Sequence, residues 1–350
     1  MTKQQTEQKK GLLIRLDKIG DLVSTVPCDE MMPPNIQCTW MIARGMNDLM
    51  ESMVPKRNWV EFHKKFFLSQ LILFVIFLRK NKFDFAISFQ GPWWISFGMW
   101  LAGVPQRFGL LSQWHHFLFL NHGIRQKRSK ATKHEAEYNG DLVREALEKM
   151  KISSKTEFDF SVKSEAYGSK VPSLTIQAPK IWEKPEHMKS YFVIHPGMAG
   201  SARNWSQEKY ISVITEIFET TELDCVLTGT PADEVYLNQI KMYFSNHPRF
   251  HLFQSKLNMK ELLDCLDQSK FVIAPSTGVL HLAASLGKKC IGIYSPILVQ
   301  HPTRWKARGK QVSILVPQVS CPADRVCHGK TCPQFDCMDT IVPKQVMDIL

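Results

Sequence analysis

No apolar run in the 350-residue sequence reaches the roughly 18–20 residues that span a bilayer. The nearest, FFLSQLILFVIFL at 66–78, is too short and is broken by Ser69 and Gln70. A secretory signal is missing too: the opening MTKQQTEQKK is polar, with no apolar region behind it, so a cytoplasmic chain with mostly reduced cysteines is expected. There is no short internal repeat, no GxGxxG dinucleotide fingerprint, no CxxC…CxxC zinc-ribbon spacing and no RNA-recognition module or zinc finger. Negative charge is scarce, with 33 Asp and Glu against 44 Lys and Arg, a net charge of +11. That surplus favours anionic partners such as nucleic acid, acidic lipid head groups or phosphorylated and carboxylated substrates; solubility alone is the plainer explanation. The 44% hydrophobic and 22% charged content excludes a disordered chain or a coiled coil.

What is present is an alternation of strand and helix patterns, the signature of parallel β/α units. GLLIRL (11–16), CTWMIA (38–43) and FDFAISF (83–89) read as buried strands, and 62–80, WWISFGMWLAGV (93–104) and EAEYNGDLVREALEKM (135–150) as helices. From about 163 to 190 the pattern dissolves around Pro172, Pro179 and Pro185, which predicts a linker. It restarts at YFVIHPG (191–197). WSQEKYISVITEIFE follows as a helix with Ser206 as candidate N-cap, and Lys209 stands where a capping box would take Glu or Gln. Further βα units continue through LDCVLTG, PADEVYLNQIKMYF, MKELLDCLDQS and KFVIAPSTG. Two βα domains in series make a cleft, and ligands of open α/β sheets sit outside the carboxyl ends of strands.

Four loops at such ends stand out. RLDKIGDLVSTVP carries Asp21 after Gly20, either a helix cap or a general base. HPGMAGSARNW combines His195, Gly197, Gly200, Ser201 and Arg203, small residues and a cation suited to an anion. LTGTPADE places Asp233 and Glu234 at a helix start, where acids are favoured anyway and where one can also bind a ribose. APSTGVLHLAASL sets Ser276, Thr277 and Gly278 at a helix N-terminus, a ready anion site, with His281 in the first turn as packed side chain or ligand.

The ordered set IGDLVSTVP, FAISFQG, LAGVPQRFG, KHEAEYNGDLV, HPG…W, TGTPADE and STGVLHLAASLGKKCIGIYSP resembles the ADP-heptose:lipopolysaccharide heptosyltransferases, glycosyltransferase family 9, from about residue 11 to the end. The resemblance implies the GT-B fold, two Rossmann-like domains with parallel sheets facing across a cleft. The expected divisions are an acceptor domain at 11–165, a linker at 166–189, a nucleotide-sugar domain at 190–335 and a closing crossover helix at 336–350 that packs back on the N-terminal domain. It implies inverting transfer of heptose from ADP-heptose to a lipopolysaccharide core, with no cofactor or essential metal. Asp21 takes the catalytic position; Arg203 the diphosphate position; Asp233 or Glu234 the nucleoside position; Thr277 and Gly278, with His281, the phosphate loop. Ser276 departs from the Asp common before Thr-Gly, which bears on the donor. Another nucleotide-sugar, another surface-glycan acceptor, or a non-catalytic nucleotide-sugar binder are the competing readings; nucleic acid is not an expected partner.

Arg125, Lys127, Arg128 and Lys130, with Lys133, form a basic cluster that reads as acceptor-binding or as a solvated loop. The apolar stretches at 66–78 and 93–100 read as core helices or as a peripheral contact with the inner membrane. Near the end, Cys321, Cys327, Cys332 and Cys337 follow a C-x5-C-x4-C-x4-C spacing around His328, open to a structural metal or to no role.

Overall fold

The structure, a computed structural model, describes residues 8–155, 173–198 and 203–350. The chain divides into two compact units: Met1–Lys127 with Glu135–Leu174, and Arg128–His134 with Thr175–Leu350.

In the first unit the elements run β1 (Lys9–Arg15), α1 (Ile19–Thr25), β2 (Ile36–Ala43), α2 (Asn47–Ser52), β3 (Met53–Val54), β4 (Asn58–Phe62), α3 (Leu68–Asn81), β5 (Phe85–Gln90), α4 (Trp93–Leu101), β6 (Gln106–Leu110), α5 (Trp114–Phe119), β7 (His122–Ile124) and α6 (Glu135–Lys149). Six strands form a parallel sheet in the order β4-β2-β1-β5-β6-β7. Helices on the faces explain why β1 is continuously apolar: Leu12, Leu13 and Ile14 are fully buried. The core joins Leu12, Ile14 and Ala86 to Phe74, Trp94 and Ile95 from α3 and α4. The helix expected over 62–80 begins only at Leu68, because Phe62 closes β4.

The second unit continues with β8 (Thr175–Ile176), β9 (Tyr191–Ile194), α7 (Gln207–Thr220), β10 (Asp224–Gly229), α8 (Glu234–Tyr243), β11 (Phe250–Gln254), α9 (Met259–Gln268), β12 (Phe271–Pro275), α10 (Gly278–Ser285), β13 (Lys289–Ile293), α11 (Pro302–Trp305), β14 (Val312–Leu315) and α12 (Pro343–Met347). Its sheet repeats the topology of the first, β11-β10-β9-β12-β13-β14, again parallel. In each unit the strand order reverses beside the first strand, between β1 and β5 and between β9 and β12. These are the switch points where open α/β sheets receive ligands.

Three local readings change. Ser206 occupies the N-cap of α7 but its hydroxyl makes no capping bond. The stretch read as linker is docked in its later part: the Ile181 and Trp182 amides both donate to Asp264 Oδ2 on α9 at 2.7 Å, and Trp182 packs on Tyr191 and Phe253. The closing helix α12, expected to return to the N-terminal domain, packs on α7 of its own unit. There Val346 is fully buried with Trp205 and Ile341, and that apolar contact decides its position.

Candidate active site

Two groups of side chains stand at the carboxyl ends of the two sheets, one in each unit.

In the first unit β1 ends on Arg15, a cation closing an apolar strand. It is completely buried and surrounded by carboxylates. Its Nη2 donates to Asp21 Oδ1 in the first turn of α1; its Nε lies 3.2 Å from Asp17 Oδ2; and Glu135 Oε1, from the start of α6, lies 3.7 Å from Nη2. Lys64 pairs with Asp17 from the other side. Three carboxylates therefore face two cations. Asp21 keeps the most access, its side chain 21% exposed against 8% for Asp17 and 0% for Glu135. Desolvation raises the Asp21 carboxyl above the usual carboxylate range; Arg15 opposes this, and Asp17 and Glu135 add to it. A partly exposed carboxylate with raised basicity at a sheet's switch point is equipped to take a proton from a hydroxyl. The cap alternative fails for its side chain: Lys18 holds the N-cap of α1, and Asp21 Oδ1 is engaged by Arg15. α1 is fixed behind this group by Thr25, whose hydroxyl donates to the Asp21 carbonyl at 2.6 Å and accepts from Asn139 Nδ2 of α6 at 2.9 Å.

In the second unit the loop after β9 begins with His195, whose amide extends the sheet by bonding the Ile273 carbonyl at 3.0 Å. Its Nδ1 lies 2.9 Å from Thr228 Oγ1, and burial lowers its pKa to about 4, so it is neutral at pH 7. The next loop rests directly on this one. Asp233 is buried, and a Cβ added to Gly197 would land on its carboxyl group, so only glycine fits there. One Asp233 oxygen accepts from the Thr230 amide at 2.9 Å and hydroxyl at 2.6 Å, closing a capping box. Glu234 is turned outward. Lys241 Nζ reaches its two oxygens at 2.6 and 2.7 Å and Gln254 donates at 2.9 Å, which holds it below the usual carboxylate range.

The loop after β12 brings Ser276, Thr277 and Gly278 to the start of α10. Thr277 is an extended N-cap without a side-chain capping bond. The first-turn amides of α10 have no intrahelical acceptors and point outward with the positive end of the helix dipole. His281 is buried in that turn, its pKa lowered to about 4 by burial and then by Arg308. It is therefore a neutral group with one N–H to give.

Arg203 follows the same β9 loop; Gly200 and Ser201 lie outside the described residues. Its guanidinium stacks 4.6 Å from the Phe335 ring centroid, and Nη1 lies 3.3 Å from Cys327 Sγ. With Ile297 after β13 and Val319 after β14 it lines a pocket that also takes in Cys321, Cys327, Cys332, Cys337 and His328. Burial acts to raise the Cys327 thiol, but the Gly329 amide and Arg203 outweigh it and hold the thiol below its ordinary value. None of the nine cysteines is in a disulfide. Among the described residues no three His, Cys, Asp or Glu side chains are grouped closely enough to hold a metal ion.

The basic cluster is divided. Arg125 and Lys127 are exposed in the first unit, whereas Arg128 and Lys130 belong to the second. Arg128 is buried where the 128–130 turn packs on residues 298–300, which sets aside the solvated-loop reading for this residue. Arg15 and Glu135 escaped the sequence reading. The available signals were a lone cation at the end of an apolar strand and a carboxylate opening an amphipathic helix.

Comparison with known proteins bears on the family and the fold. The family profile described as Glycosyltransferase family 9 (heptosyltransferase) matches residues 75–332. A Haemophilus influenzae protein provisionally named a glycosyltransferase is 27% identical over 307 residues, covering 85% of this chain and 86% of that one. Among solved structures, the ADP-heptose lipopolysaccharide heptosyltransferase II of E. coli superposes with a TM-score of 0.74 at 14% identity, covering 97% of each chain. A family 9 glycosyltransferase from Veillonella parvula gives 0.72 at 16% identity, covering 98% of this chain and 96% of that one. Both matches span the two six-stranded parallel sheets, the GT-B class expected. The chain belongs to glycosyltransferase family 9, the heptosyltransferase family.

Proposed function

We propose that this glycosyltransferase moves a heptose from ADP-heptose to a lipopolysaccharide core acceptor, with inversion at the anomeric carbon and without a metal. The observation that carries the reading is the Asp21 carboxylate, raised in basicity by desolvation and seated on the buried Arg15. Asp21 takes the proton from the acceptor hydroxyl as its oxygen bonds the anomeric carbon and the bond to the diphosphate breaks. Negative charge then builds on the leaving ADP. The α10 amides with Ser276, Thr277 and Gly278, the N–H of neutral His281, and Arg203 are the groups assigned to receive it. Arg203 leaves its place beside Cys327 and Phe335 to do so. Asp233 orders the donor loops through Gly197, and Glu234, the more accessible acid, is the better candidate for the ribose. Exposed Arg125 and Lys127 are assigned to acceptor carboxylates and phosphates, on the cytoplasmic face of the inner membrane.

ADP alone among ADP, UDP and GDP should raise the melting temperature. Transfer from ADP-heptose to defined truncated lipopolysaccharides, with EDTA present, should proceed. Stabilisation by UDP or GDP instead would replace the donor and leave the family intact, and Ser276 would then be the first residue to examine.

A further inference from the structure

α3 has the sequence LSQLILFVIFLRKN and is apolar on every side. Leu71, Phe74, Val75 and Leu78 enter the core, which accounts for half of its surface. Leu68, Ile72, Leu73 and Ile76 are each more than half exposed, and no described residue covers them. The exposed strip does not end there. α3 packs on α4 and α4 on α5, and a line of rings runs from the entry of α3 along α4 to α5: Phe66 to Trp93 at 5.1 Å, Trp93 to Phe97 at 6.0 Å, Phe97 to Phe119 at 5.1 Å. Trp93 and Trp100 are exposed by more than two-fifths, and Trp114 and Phe117 on α5 by more than half. A single apolar face of this extent is unusual on a protein surface and marks a place where something binds.

Its chemistry selects the partner. None of the three helices contains an Asp or Glu. Its edge is basic: exposed Lys65 at the entry of α3, exposed Arg79 and Lys80 in its last turn, and Arg125 lying over the Phe117 ring at 5.6 Å. A second copy seated on the same face would add a second cationic rim, with no Asp or Glu on any of the three helices to offset it. Indoles at the margin of an aliphatic face with a lysine and arginine rim match the boundary between acyl chains and anionic head groups. Among the described residues no helix is long and apolar enough to cross a membrane, so the contact is one of lying on the surface.

We infer that the exposed face of α3, α4 and α5 docks this chain on an anionic phospholipid bilayer. The inference rests on that surface alone; it supplies a partner for the proposed function without depending on the donor or the acceptor.

The test is flotation of the full chain with vesicles of phosphatidylcholine, and with vesicles in which about a quarter of the lipid is phosphatidylglycerol, neither containing glycolipid. The chain should float with the anionic vesicles and much less with the neutral ones. Combined Ile72→Ser, Ile76→Ser and Trp114→Ser should lower partitioning by about tenfold or more at an unchanged melting temperature. Lys65→Gln with Lys80→Gln should lower only the anionic preference. If the triple variant melts early, Trp114→Ser alone serves, and a blue shift of tryptophan emission on adding vesicles is the second readout. No flotation with anionic vesicles, or a folded triple variant that floats as well as the parent, overturns the inference. So does a dimer in solution that the triple variant makes monomeric, since a second copy then covers the face. Because the vesicles carry no sugar acceptor, loss of transfer and loss of docking are read separately.

Discussion

Arg15 lies fully buried beneath Asp21 and donates to its Oδ1, so the carboxylate assigned as base is held by a cation that solvent does not reach. Such a pair sets both the position and the basicity of Asp21. Removing one member leaves buried charge uncompensated.

Glu135 contributes negative charge to the same group from α6 and helps to raise the Asp21 carboxyl. Glu135→Gln should therefore shift the acidic limb of the pH–kcat profile toward lower pH. Glu135→Ala shifts it likewise and also lowers stability, by opening space in a buried site. An acidic limb that stays in place in the folded Gln variant would separate Glu135 from the base.

His195 and His281 are buried with pKa values lowered to about 4 from an ordinary 6.5. Between those values the unfolded chain binds protons that the native state refuses, so stability rises with pH across this window and falls on acidification from about 6.5 to 4. The contribution is up to roughly 3 kcal/mol for each histidine. Melting curves from pH 7.5 down to about 4.5 should show this loss, and His281→Gln should flatten the dependence. Equal slopes in parent and variant would mean that His281 takes up its proton equally in the folded and unfolded chain, so that burial does not lower its pKa.

Arg203 and the Gly329 amide keep the Cys327 thiol low, so Cys327 should alkylate faster than Cys332, which lines the same pocket. Arg203→Ala should slow iodoacetamide labelling of Cys327 several-fold, read by peptide mass spectrometry, and raise the KM for the donor. ADP should also slow the labelling if it draws Arg203 away. Labelling that ADP leaves untouched, with an unchanged donor KM in Arg203→Ala, would leave Arg203 to the cysteine-lined pocket alone.

Much of the fold was legible because the central strands are buried on both faces and read as plain apolar runs: Leu12 to Ile14, Phe192 to Ile194 and Val272 to Ala274. Edge strands were harder. β11, FHLFQ, is half-buried at every position and gives no alternation. A helix over 62–80 takes in Phe62, although His63, Lys64 and Lys65 separate it from the apolar run and it closes β4. The loop residues were legible from chemistry and order, yet their partners were not. Arg15 meets Glu135 only once α6 packs on α1 and β5, and Arg203 meets Cys327 only when the C-terminal cysteine segment closes the pocket they share. For α3 the sequence left a core helix and a surface contact both open, and only its packing shows which side is buried and which lacks a cover.

Asp17 is the rival base, four residues from Asp21 and tied to both Arg15 and Lys64. The most direct test of the assignment is turnover of ADP-heptose by Asp21→Asn and Asp17→Asn, with ADP affinity measured alongside. Asp21→Asn should lose about a hundredfold to ten-thousandfold in kcat with ADP affinity unchanged, and Asp17→Asn should lose less. Near-normal turnover in Asp21→Asn, with activity abolished in Asp17→Asn, would contradict it.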